Sequence, residues 1–128
     1  MIFEEKLSQF RFDMKEYLRR FDGTPQLYQE CLVLYVGSGN IDKLTDSFGK
    51  GDWKAALEYA HMLKGSSSNL ALKELWDTYD SIVQTLRGSE PESAAPMIEK
   101  AVELEAQLKE ITQGMKKIRR CKDGYTNY

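Results

Sequence analysis

The chain holds a single histidine, two cysteines and three prolines among its 128 residues, and each scarcity excludes something. One histidine without suitably spaced cysteines offers no metal-ligand cluster. Cys31 lies inside an apolar run and Cys121 in a charged tail, so no disulfide framework is expected, and a reducing cytoplasm is the natural setting. Unbroken apolar sequence runs only from Cys31 to Val36, too short to cross a bilayer. The start, Met1-Ile2-Phe3-Glu4-Glu5, lacks the basic residues and apolar stretch of a signal peptide. A formal net charge of −2 lacks the basic excess of a nucleic-acid binder. There is no glycine-rich nucleotide loop and no stretch of strand-like alternation. Internal repeats and low-complexity segments are also missing.

What remains is helical. A hydrophobic share of 41% with 30% charged residues is that of a soluble globular chain, long enough for one domain with its own core. Phe3, Leu7, Phe10, Met14, Tyr17 and Phe21 follow one another at spacings of four and three, which predicts one helical stripe ended by Gly23. Thr24-Pro25 then starts a helix whose buried face carries Tyr28, Cys31, Leu32 and Tyr35. After Gly37-Ser38-Gly39, Asn40 is the expected cap of a short helix carrying Ile41, Leu44 and Phe48. Asp52 is the expected cap of a central helix with the stripe Trp53, Ala56, Ala60, Leu63, Ser67 and Leu70. Leu72, Leu75, Trp76, Tyr79, Val83 and Leu86 mark another helix, closed by Gly88. A last one uses Ile98, Val102, Leu104, Leu108 and Ile111, with Pro96 in its first turn. The aromatic residues fall on core stripes. The expected fold is all-α: an antiparallel, up-and-down four-helix bundle with additional short N-terminal helices. Residues 1–113 form the domain, and 114–128 a basic helix end and a disordered tail.

The lone histidine stands in Ala60-His61-Met62-Leu63-Lys64-Gly65-Ser66-Ser67-Ser68. On a helix His61 shares a face with Lys64, Gly65 and Ser68. Helical side chains lean toward the N-terminus, so a residue at i+4 normally overhangs its neighbour one turn back. Gly65 leaves the imidazole uncovered, with a lysine beside it. Glycine inside a helix costs about 1 kcal/mol against alanine, and a histidine that a partner's active site must reach would account for it. The run from Gly65 to Asn69 admits a second reading, a break with Gly65 as cap. Spacing that stays in phase from Ala56 to Leu70 favours the continuous helix.

The run Ala60 to Ser67, followed by Asn69-Leu70-Ala71 and Leu75, closely resembles the motif of the histidine-containing phosphotransfer (HPt) domain. Leu18-Arg19-Arg20-Phe21-Asp22-Gly23 resembles that family's lead-in segment, and Gly51-Asp52-Trp53 its turn into the histidine helix. The likeness covers roughly residues 12 to 112. Ala71 departs from it, standing where the family commonly has glycine. Some members present a glutamine from the following helix; Gln84 is near, but Val83 better fits that register, so the role is not carried over.

The resemblance implies a phosphorelay carrier rather than an enzyme, without kinase activity of its own. His61 would accept a phosphoryl group from an aspartyl phosphate on a receiver domain and pass it to another receiver, with Lys64 stabilising the phosphate. Gly65, Ser68 and Lys54 would face the partner. An exposed imidazole is in large part neutral, and therefore nucleophilic, near neutral pH. Phosphoryl transfer needs in-line positioning and charge spread over equatorial oxygens, which a nearby ammonium assists. No cofactor is expected on this chain; Mg²⁺ would come with the receiver. The expected partners are response-regulator receivers and a hybrid sensor histidine kinase, with neither nucleic acid nor membrane, for a stand-alone cytoplasmic monomer. The competing reading is a helical adaptor that binds a receiver or kinase without transferring phosphate. A hydrolase using His61 as base lacks an activated nucleophile beside it. The basic run from Lys116 to Lys122 is read as a solvated helix end favoured by the helix dipole.

Overall fold

The computed structural model describes residues 2–22 and 24–123, with side chains for 3–22 and 24–114. Among the described residues it is a bundle of seven α-helices in chain order: α1 (Ile2–Lys6), α2 (Met14–Phe21), α3 (Pro25–Gly37), α4 (Asn40–Gly49), α5 (Trp53–Asn69), α6 (Lys73–Arg87) and α7 (Ala95–Asp123). Short 3₁₀ turns, Ser8–Phe10 and Pro91–Ala94, precede α2 and α7. Among the described residues the only extended pairing is an isolated bridge between Phe12 and Leu72, so the fold is all-α as expected. The part of the tail from residue 124 onward lies outside the described residues.

The N-terminal stripe does not make one helix. Arg11 takes a left-handed conformation, with φ of 50°, and the Asp13 carboxylate accepts from the Glu16 amide at 3.1 Å to cap a new start. Asp13 also donates its own amide to the Ala71 carbonyl at 2.8 Å. Periodicity survived because the 3₁₀ turn keeps Phe10 inward, fully buried beside Leu7 and Phe3. The residue expected to end the stripe, Gly23, is outside the described set. Thr24 does precede Pro25 at the start of α3, yet its hydroxyl donates backward to the Phe21 carbonyl at 2.9 Å instead of capping. Asn40 is the first helical residue of α4, not its cap. Gly39, at φ of 74°, holds the cap position because only glycine adopts that conformation without cost.

The core is one cluster drawn from all the long helices. At one end, the rings of Phe3, Phe12, Tyr17 and Phe21 surround Tyr28, with centroids 4.9–5.7 Å from it. The Tyr28 hydroxyl donates to the Leu70 carbonyl at 2.8 Å, so this cluster grips the C-terminal end of α5. In the middle of the bundle, Glu105 of α7 is buried and its Oε2 accepts from both Tyr35 of α3 and Tyr79 of α6 at 2.5 Å. Burial raises the Glu105 carboxyl above its ordinary range and both phenols well above theirs. Three helices therefore meet at one shared hydrogen-bonded group. At the surface Arg11 reaches α6, where it pairs with Glu74 at 2.7 Å and with Asp77. Lys100 of α7 meets the same Glu74 at 2.7 Å.

Candidate functional site

The central helix is continuous. α5 runs from Trp53 to Asn69 straight through Gly65 and the serines, so the alternative break is excluded. Asp52 caps it as expected, its carboxylate accepting from the Ala55 amide at 3.1 Å. Ala56, Ala60, Leu63 and Ser67 are buried against the bundle. His61, one residue past Ala60, is turned about 100° from that line, which leaves it exposed midway along the helix.

α6 packs antiparallel beside α5, and this pairing supplies a residue that the sequence reading did not find. The Arg87 guanidinium lies with Nη2 3.0 Å from His61 Nε2. A guanidinium only donates, so the contact requires a bare lone pair on Nε2 and places the ring proton of a neutral imidazole on Nδ1. Both side chains are exposed. Nothing local in the sequence marked Arg87, because a basic residue in the last turn of a helix is the ordinary complement to its dipole.

Lys64 is not free beside the histidine. Its ammonium pairs with Asp80 of α6 at 2.9 Å and lies 5.4 Å from the centre of the Trp76 ring. Hydrogen bonding from Lys64 holds the Asp80 carboxyl below its usual range against the opposing effect of burial; the charge of Lys64, the nearby Gln84 amide and the charge of Arg87 add to the lowering. Gln84 is exposed on α6 beside Asp80, whereas Val83 is fully buried and cannot face the imidazole. Val83 is buried as its place on the apolar stripe of α6 predicts.

The remaining candidates separate. Gly65, exposed and one turn beyond His61, has nothing within 4 Å of where a Cβ would stand. Lys54 lies exposed on the same face about 10 Å toward the N-terminus. Ser68 lies as far in the other direction and lines a recess with Asp13, Lys73 and Trp76 instead of adjoining the imidazole. On the opposite flank of α5, Ser66 and Asn69 line a shallow groove shared with Cys31, Leu34 and Tyr35 of α3. Leu34 is 74% exposed and Met62, next to His61, is 51% exposed. The histidine thus stands between a charged flank on α6 and an apolar one toward α3. Among the described residues no three metal-ligating side chains converge, and no helix is long and apolar enough to cross a membrane.

Ala71, which departs from the motif's glycine, keeps the backbone conformation that suits a glycine. It closes the α5 C-terminus at φ of 60°, a conformation that favours glycine, and its amide donates to the Ser68 carbonyl at 3.0 Å.

No curated protein and no solved structure matches the chain. A family model described as the Hpt domain matches residues 7–114. With that match spanning most of its length, the chain belongs to the Hpt domain family, the phosphocarrier modules of phosphorelay signalling.

Proposed function

We propose that His61 is the phosphoacceptor, taking its phosphoryl group from an aspartyl phosphate on one receiver domain and yielding it to another. The observation that carries this reading is the exposed imidazole whose Nε2 lone pair points at the Arg87 guanidinium. Attack by that lone pair forms the N–P bond while the acyl oxygen–phosphorus bond breaks. The departing pair goes to the receiver's carboxylate, and the ring keeps its proton on Nδ1. Arg87 gives up the lone pair at that moment and is already within reach of the oxygens that replace it. Lys64, once released by Asp80, is the second cation available to them. The Mg²⁺ and acidic pocket that activate the aspartyl phosphate come from the receiver. Docking rests on Met62 and Leu34 as apolar contacts, with Gly65 letting the receiver approach closely and Lys54 at the edge. Gly65 supports that role because nothing inside the fold occupies the space above it.

The test is incubation with isolated receiver domains charged from labelled acetyl phosphate. Acid-labile, alkali-stable label on the chain, absent from His61→Gln, is the expected result. Stable binding without any label would favour the adaptor instead.

A further inference from the structure

Among the described residues, Asp80 is the carboxylate that pairs with a cation of this site. It holds the Lys64 ammonium at 2.9 Å, and the pair is half-buried, with side-chain exposures of 23% and 33%. Trp76 lies beside the same ammonium, its ring centre 5.4 Å from Nζ. Lys64 is therefore parked on α6 by Asp80 and Trp76 rather than standing ready for a phosphate. A phosphoryl group on His61 must compete with a fixed negative charge for this lysine.

Resting on the carrier reading above, we infer that Asp80 is a positioning residue that keeps Lys64 from clamping the phosphoryl group. Its carboxylate leaves phospho-His61 incompletely neutralised and so preserves its readiness to give the group away. A carrier has to release as well as accept. A site with both cations free would bind the phosphoryl group tightly and pass it on slowly, because stabilising the bound state without equal gain in the transition state raises the barrier to leaving. Asp80 takes no part in bond making; the N–P bond breaks to the incoming aspartate with Asp80 acting only through Lys64.

The experiment labels the chain from a charged receiver as above, then follows the lifetime of that label on the purified chain and its rate of discharge to an unphosphorylated receiver. Asp80→Asn is expected to lengthen the phosphohistidine half-life and slow onward transfer about threefold each, the scale of a partly exposed ion pair. Asp80→Glu, which restores the charge, brings both back toward the parent values. In a Lys64→Ala background the Asp80→Asn effect disappears. Asp80→Ser repeats the measurement should the asparagine variant fold poorly, with helical circular dichroism confirming the bundle in each. An unchanged half-life in the folded variants, or an effect that persists undiminished without Lys64, overturns the inference while leaving the carrier reading in place. A parent chain that takes no label from any receiver overturns both.

Discussion

An alanine at position 65 would touch neither the imidazole nor any other part of the fold, since nothing lies within 4 Å of its Cβ. Gly65 has ordinary helical backbone, so its cost of about 1 kcal/mol against alanine has no internal compensation. Gly65→Ala is accordingly expected to raise the melting temperature by about 4 °C while slowing phosphoryl transfer from a receiver. Equal stability, or faster transfer, would remove the docking role. This residue was legible in sequence because its oddity is local: glycine in the middle of an in-phase stripe. Arg87 was not, since its meeting with His61 depends on how α5 and α6 align across 26 positions. The Lys64–Asp80 pair was hidden for the same reason. Sequence spacing placed the lysine near the histidine, but only the neighbouring helix shows which way its ammonium turns.

At the level of elements, α5 was readable because its cap, its stripe and its length agree, and a consistent local signal is hard to override. The N-terminal segment misled because spacings of four and three look alike in an α-helix and in helix–turn–helix pieces that share one buried face. What broke it was tertiary: Arg11 is drawn to Glu74 and Asp77 on α6, and the Asp13 amide to the Ala71 carbonyl. The joint between α5 and α6 then rests on Ala71, buried at φ of 60°. Replacing it with glycine relieves the backbone but loses a buried methyl and loosens the unfolded chain, so stability should change by less than about 1 kcal/mol. Ala71→Val, β-branched in a left-handed site, is expected to cost about 2 kcal/mol or more. Chemical denaturation of the two variants checks this, and a valine variant as stable as the parent would contradict the assigned conformation.

For the molecule as a whole, the bundle is joined at Glu105, which no stripe identified because a glutamate at an inward position reads as a solvated charge. Its carboxyl is raised above the ordinary value of 4.5 by burial, with the tyrosine hydrogen bonds opposing. The folded chain therefore keeps this proton to higher pH than the unfolded chain. The contribution to stability is complete below the ordinary glutamate pKa and is lost as pH rises through the raised folded value. Glu105→Gln, which does not titrate yet still offers an oxygen to Tyr35 and Tyr79, should melt above the parent at pH 8, with the gap closing toward pH 4. Glu16, Glu74 and Asp80, all lowered by cationic partners, lose stability as pH falls but are common to both proteins and cancel. A gap that does not vary with pH would contradict the buried titration. The same bundle presents His61 between the Arg87 guanidinium of α6 and the apolar groove toward α3, an arrangement that serves transfer only if the imidazole itself takes the phosphate. Nitrogen-15 and phosphorus-31 spectra of the chain after charging by a receiver test this most directly. Phosphorus bonded to Nε2 of His61 is the predicted result; phosphorus on Nδ1, on another residue, or on none would contradict the account.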